Sequence, residues 1–428
     1  MKSDPSQIAA LDLMRSGRNV FLTGLAGTGK STVVGEFIGS TMGMRQPDLT
    51  ATTGIAAINL QDSFMSRSGI AIRASTVYRW AGIGIGPKPN QSHSDFFQEL
   101  EADMRPSRRA AFARIQRCET LLIDEISMLP GKVLDYLDYH MRRIRACAQP
   151  FGGAQLIVVG DFLQLPPVSK SGSYDWAFKS AAWKSADFRV CSLRTIHRQD
   201  EPEFIAALND FREGRVRGAT ADLLAKRVAQ FPCRNIPRLF THNVMVNKWN
   251  TYQLNELEGE LFESIAVEQG PQSEIDFLKK NMITPSELRI KEGARVMITR
   301  NMASGSELIA ANGAIGTVTD IQPNAISVKL DGGKDIIVER HEFHFDPLRE
   351  NSGCIIQFPL RLAYAMTIHK SQGLSLDRAL IDIRAAREPG QAYVALSRLR
   401  SLKGLHLKDW IRGIFVSPDA IAFHRSIK

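Results

Sequence analysis

An apolar run, Val20-Phe21-Leu22, followed by the turn GLAGTGKS and the start of a helix, constrains this chain more than any other feature in it. Gly24 to Ser31 fills the pattern G-x-x-x-x-G-K-[ST] completely. Glycines let a backbone wrap closely enough for successive N–H groups to face phosphate oxygens, and the positive end of the following helix adds to the attraction. Strand before and helix after supply the required context. Gly27, Thr28, Gly29, Lys30, Ser31 and Thr32 are therefore the expected contacts of a bound ATP. Lys30 reaches the β- and γ-phosphates and the Ser31 hydroxyl serves Mg²⁺.

Two further apolar strands end in polar residues. TLLIDE delivers Asp124 and Glu125, and FGGAQLIVVGDFLQLPPV delivers Gly160-Asp161 and then Gln164. A carboxylate at the Asp124 position suits Mg²⁺, which keeps several of its waters. Glu125 is placed to orient or deprotonate the attacking water, and Gln164 to hydrogen-bond the γ-phosphate. Strands alternating with helices predict a parallel sheet wrapped by helices. In such sheets ligands lie at the carboxyl ends of the strands, where these residues fall.

At 428 residues the chain is too long for one ordinary core. The expected first core is 1–180, with a small insertion at about 61–98, where RASTVYRWAGIGIGPKPNQSHSD is rich in glycine, proline and polar residues. A second α/β core takes 181–285 and 350–428. Between its halves, 286–349 reads as an inserted antiparallel barrel, with turns at Glu292-Gly293, Gln322-Pro323-Asn324 and Asp331-Gly332-Gly333.

The net charge of +9 is compatible with a polyanionic partner but weak evidence for one. The five cysteines, Cys118, Cys147, Cys191, Cys233 and Cys354, are scattered with no C-x-x-C pair, which argues for buried thiols in a reducing compartment. His341 and His344 stand three apart without a nearby Cys or His pair, so a structural role is expected of them. No stretch resembles a signal peptide or a membrane span. A cytoplasmic, prokaryotic-like protein is expected, with nucleus or mitochondrion open if a targeting segment has been removed.

Hydrolysis spreads negative charge over the transferred phosphoryl group, and an arginine finger is worth roughly 10³–10⁵ in rate. The first core offers Lys30 but no evident finger. Arg198 in TIHRQDEPEF and Arg398 in GQAYVALSRLR lie in the second. Read as a helix, the latter stretch puts Gln391 and Arg398 on one face. If the cores face one another across ATP, hydrolysis requires closure, and phosphate release becomes relative motion.

TGLAGTGKST, TATTGIAA, LLIDEISM, FGGAQLIVVGDFLQLPPV, AMTIHKSQGLSLD and GQAYVALSRLR resemble, in order and spacing, the motifs of the petite-integration-frequency (PIF) DNA helicases of superfamily 1B, related to the RecD type. DYLDYHMRRIRACAQPFGG resembles that family's signature segment and favours PIF over RecD. The resemblance implies an α/β fold of two RecA-like parallel-sheet cores of the P-loop NTPase kind, with an SH3-like barrel inserted in the second. It implies ATP-driven movement 5′ to 3′ on single-stranded DNA with duplex separation ahead; forked or tailed duplex is the expected partner, and a monomer the expected form in isolation. The direction rests on the resemblance alone. Gln7 then matches the glutamine that reads adenine, Gln164 the γ-phosphate sensor, and Arg198 and Arg398 the two arginines. Gln372 and Gly373 fall near the nucleotide.

For the DNA track the resemblance points to Thr52, Thr53 and the Gly54 N–H, to Thr241, His242 and Asn243, and to Thr367, His369 and Ser371. STVYRW departs from the family's Thr-Ile-His-Ser-Phe, and leaves Tyr78 or Trp80 to stack on a base or Trp80 to pack inside the insertion. An RNA helicase, a translocase that does not unwind, and a nucleotide-dependent switch remain alternatives.

Overall fold

The computed structural model describes residues 4–427, except 42–45, 85, 89–90, 103–105, 170–171, 229–235, 305–306, 348, 384–385 and 410–413. Cys233 lies outside the described residues. The chain divides into two compact units, Met1–Leu60 with Ala74–His197 and Ser417–Lys428, and Gln61–Arg73 with Arg198–Val416.

In the first unit six short strands are laid down in chain order: β1 (Val20–Gly24), β2 (Asp48–Ala51), β3 (Ala74–Thr76), β4 (Thr120–Asp124), β5 (Gln155–Val159) and β6 (Arg189–Leu193). They form one parallel sheet of order β3-β2-β4-β5-β1-β6. The apolar runs of β1, β4 and β5, at the centre of the order, are what a sheet covered on both faces demands; β1 is buried along its whole length. Helix Lys30–Thr41 turns Val33, Val34, Phe37 and Ile38 inward, an amphipathic spacing that seats it on the sheet. The ends of β1, β2, β4 and β5 therefore present Gly24, Ala51, Asp124 and Val159 along one edge.

Two segments depart from expectation. The stretch assigned to a small insertion is partly sheet and core. Ala74–Thr76 forms the edge strand, and Val77, Trp80, Ala81 and Ile83 are buried in the main apolar cluster. Thr76 caps the short helix Val77–Trp80 by accepting from the Arg79 N–H, which holds these residues in place. The C-terminal helix Pro418–Ser426, expected in the second core, packs in the first unit, because Phe423 stacks on Phe178 with ring centroids 4.4 Å apart and abuts Trp183 and Phe162.

The segment with the signature resemblance is helix Gly131–Arg145 and the turn after it. Asp138 accepts from Arg142 Nε at 2.9 Å and from the Phe151 N–H at 2.6 Å, closing the turn back on the helix. Buried His140 lies 3.1 Å from the Ala81 carbonyl and 3.3 Å from the Tyr136 hydroxyl.

The second unit contains a four-stranded parallel sheet in the order Ala365–Thr367, Arg238–Phe240, Ala379–Asp382, Leu405–Asp409. Its five-stranded antiparallel sheet runs Asp335–Glu339, Ala325–Leu330, Ile315–Ile321, Arg295–Ile298, Leu360–Leu362. Gln322-Pro323-Asn324 and Asp331-Gly332-Gly333 separate strands of this sheet, and Glu292-Gly293 leads into Arg295–Ile298; Gly293, at φ 80°, occupies a conformation that favours glycine. Strand Leu360–Leu362 was not expected. It returns to the antiparallel sheet because Leu360 completes the cluster of Val296, Ile298, Val318, Ile326 and Val338. A three-stranded sheet of His341–His344, Cys354–Gln357 and Val267–Gln269 stands beside these.

Candidate nucleotide and nucleic-acid sites

The phosphate loop leaves β1 through positions only glycine can fill. A Cβ on Gly24 would fall 2.8 Å from both the Leu193 carbonyl and Thr28 Oγ1, and one on Gly29, at φ +85°, would fall 2.5 Å from Gln7 Nε2. Lys30 opens the helix and folds back, its Nζ donating to the carbonyls of Gly24 at 2.9 Å and Leu25 at 3.0 Å. The ammonium is thus held over the loop beside the first-turn N–H groups. Ser31 is exposed at the same turn. Thr28 differs from the expected ligand: its side chain is fully buried and donates to the Leu25 carbonyl at 2.9 Å, so it braces the loop from within.

Asp124 closes β4 with Oδ1 accepting from the Glu125 N–H at 2.9 Å. Burial raises its proton affinity, while that hydrogen bond and the Lys30 charge oppose the rise. A cation at this carboxylate would reverse the effect of burial. Glu125 has φ 54° and ψ 44°, a left-handed backbone that a non-glycine residue holds only at a cost. After β5, Asp161 accepts from the Leu163 N–H, and Gln164, 5% exposed, follows in the same turn.

Gln7 lies against the loop, on helix Pro5–Arg15. Its Oε1 closes a capping box with the Asp4 N–H, and its Nε2 donates to the Thr28 carbonyl at 3.3 Å. His197 was missed in the sequence. Its N–H donates to the Gly27 carbonyl at 2.8 Å, and its ring lies 3.4 Å from Gln7 and 3.5 Å from Asp4. The only signal was its place beside Arg198.

The segment TATTG leaves β2 next to β4. The Thr52 N–H donates to the Asp124 carbonyl at 3.2 Å, and the Thr52 hydroxyl to the Glu125 carbonyl at 3.0 Å. Thr53 Oγ1 accepts from the Ala56 N–H, capping the helix that Gly54 begins. Trp80 is 3% exposed inside the core, which corrects its assignment as a stacking platform: no ring face is left for a base. Tyr78 is half-buried.

In the second unit, Arg198-Gln199 and ALSRLR converge. Arg198 Nη1 donates to the Ser397 carbonyl at 3.1 Å, and Gln199 Nε2 to the Leu399 carbonyl at 2.7 Å. Helix Gln391–Leu396 stops short of Arg398, so the expected shared helix face with Gln391 does not form. Gln391 instead pairs with Glu388. Arg398 is 2% exposed; its Nε donates to the Val394 carbonyl at 2.9 Å and its Nη2 to Ser397 Oγ at 2.8 Å.

Strands Arg238–Phe240 and Ala365–Thr367 are neighbours in register, so Thr241-His242-Asn243 and Thr367-Ile368-His369 leave adjacent strand ends. His242 and Asn243 are exposed at the start of helix Asn243–Asn255, and Thr241 is half-buried. His369 Nε2 lies 3.4 Å from Glu388 Oε2. The His369 hydrogen bond holds the Glu388 carboxyl below its usual range, with His242 adding to the effect. Thr367 Oγ1 accepts from the Lys370 N–H, and the buried Ser371 donates to the Ile368 carbonyl at 2.7 Å. Ser371 is thus corrected from a DNA contact to a turn-forming residue. Gln372 Nε2 is buried with no hydrogen-bond partner among the described residues, and Gly373 is exposed beside it.

A family model described as PIF1-like helicase matches residues 6–221. The chain is 36% identical over 429 residues to the ATP-dependent DNA helicase Pif1 of Bdellovibrio bacteriovorus, covering 99% of this chain and 92% of that one. It is similar to the crystal structure of Bacteroides sp Pif1 in complex with ADP-AlF4, with a TM-score of 0.82 and 32% identity over 100% of this chain and 97% of that one. The Bacteroides Pif1 structure bound to ssDNA aligns over the same shares at 32% identity with a TM-score of 0.66. With a family model across half its length and a relative matched nearly end to end, the chain belongs to the PIF1-like helicase family.

Proposed function

We propose that this protein is an ATP-dependent DNA helicase that moves 5′ to 3′ along single-stranded DNA and opens forked or tailed duplexes, as a monomer in isolation. One observation carries the coupling of ATP to DNA: the Thr52 hydroxyl bonds the carbonyl of Glu125. A strand displaced at Thr53 and Gly54 is thereby felt at the acid beside the phosphate loop. Lys30 holds the β- and γ-phosphates, Glu125 orients the attacking water, and Gln164 senses the γ-phosphate. Arg198 and Arg398 neutralise the charge that develops on the transferred group. Gln7 meets the adenine, and Gln372 offers its unpaired amide to the nucleotide.

Ser31 and Asp124 fit Mg²⁺, a hydroxyl and a carboxylate whose charge burial disfavours. When bound, the ion offsets the charge of the triphosphate. Thr241, His242, Asn243 and His369 line the strand-end path for DNA in the second unit, and Thr367, 4% exposed, braces the turn that carries His369. Duplexes with a 5′ tail, a 3′ tail or a fork are the test. The 5′-tailed and forked substrates should be unwound, and the ATPase should be stimulated by single-stranded DNA. Unwinding from 3′ tails alone reverses the polarity, and an ATPase indifferent to saturating DNA leaves a nucleotide switch.

A further inference from the structure

We propose that Glu342, His344 and Cys354 form a binding site for one Zn²⁺ ion on the three-stranded sheet of the second unit. Glu342 and His344 are two apart on strand His341–His344, so their side chains share a face. Cys354 is the direct cross-strand partner of His344. Side chains so paired start about 4.5–5.5 Å apart at Cβ. The carboxylate, imidazole and thiol donor atoms all lie within 4.8 Å of one another, and His344 Nε2 is 3.0 Å from Glu342 Oε2. Bonds of roughly 2.0–2.3 Å to Zn²⁺ bring such donors together with only small side-chain movement.

The donor set chooses the ion. One sulfur, one nitrogen and one oxygen suit borderline-soft Zn²⁺ and not Mg²⁺, which takes oxygen ligands. The site is therefore chemically separate from Ser31 and Asp124. Cys354 is 4% exposed and supplies the ligand from inside the sheet, while Glu342 is exposed and leaves the site reachable from solvent. Coordination moves no electrons: the thiol proton leaves to solvent and the thiolate binds. A fourth position stays open to water or to Gln269, which pairs with Cys354 on the next strand. The ion would clamp Cys354–Gln357 to His341–His344.

Spacing alone points to the wrong histidine. His341 and His344 are three apart, which on a strand puts them on opposite faces. His341 instead lies 2.6 Å from Arg300 Nη1. The true partner of His344 is ten residues on, across the sheet.

The test uses the full chain with Mg²⁺ present throughout, titrated with Co²⁺ as a spectroscopic probe and then with Zn²⁺. One equivalent of Co²⁺ should give a thiolate-to-metal charge-transfer band that Zn²⁺ displaces. Cys354→Ser should abolish the band, His344→Ala and Glu342→Gln should each weaken binding by about tenfold or more, and Cys191→Ser should leave it intact. A wild-type chain without the band, or a band that survives Cys354→Ser, overturns the proposal. A circular-dichroism spectrum unchanged in each variant keeps misfolding from imitating the expected loss.

Discussion

Thr52 spends its hydroxyl on the Glu125 carbonyl and is 8% exposed, so it serves the backbone of the acid more than the surface. Thr52→Val keeps the shape and removes that bond, a loss of about 1 kcal/mol that corresponds to a five- to tenfold change. DNA-stimulated ATPase should fall by about that factor while single-strand affinity, read by fluorescence anisotropy, stays within about twofold. A drop in affinity with normal stimulation would make Thr52 a DNA contact instead. Trp80 poses the opposite case. Trp80→Ala should cost about 3–5 kcal/mol in urea unfolding, as for a buried aromatic, and single-strand affinity per folded molecule should not change. Selective loss of affinity in a stably folded variant would restore the stacking role. The sequence could not separate these outcomes, because an aromatic in a glycine-rich stretch looks the same whether it faces a base or a core.

Helix Gly131–Arg145 and its turn show what the signature segment does physically: they carry structure. Burial holds the His140 imidazolium down to about 4, against 6.5 for an unperturbed ring, with the Ala81 carbonyl opposing and the Arg108 charge assisting. Between those values the unfolded chain binds a proton that the folded one refuses. Stability from this group is therefore complete above the unfolded value and is lost as pH falls toward about 4. The loss amounts to roughly 3 kcal/mol at most. His140→Gln should flatten the pH dependence of the urea midpoint over that window; an unchanged slope would place the acid sensitivity elsewhere. At the same scale the strands before Gly24, Asp124 and Asp161 were legible, because buried parallel strands are continuous apolar runs. Strand Leu360–Leu362 was not, since three residues give no period. Helix Gln391–Leu396 was read too long, because Leu399 continues the apolar spacing after the backbone has turned.

Over the whole molecule, the order of motifs points to the phosphate loop, the acids and the arginines as the expected chemistry, because local patterns carry them. It did not reveal His197 on the loop, the C-terminal helix in the first unit, or the Glu342–His344–Cys354 cluster. The first two depend on contacts between residues far apart in the chain, and the third on the register of two neighbouring strands. Binding to DNA through phosphates releases counterions, so affinity should fall log-linearly with salt, with a slope near −0.7 per phosphate neutralised on a single strand. A salt-independent affinity would leave base stacking as the main attraction. Arg398, 368 residues beyond Lys30, is proposed to serve the nucleotide held by the loop. DNA-stimulated ATPase and ATP affinity, measured together in Lys30→Ala, Arg398→Ala and Arg398→Lys, decide this role. All three should lose turnover, by about 10³-fold for Arg398→Ala, while the Arg398 variants keep much more of their ATP affinity than Lys30→Ala. Near-normal turnover in a folded Arg398→Ala, or a loss of ATP affinity equal to that of Lys30→Ala, would contradict it.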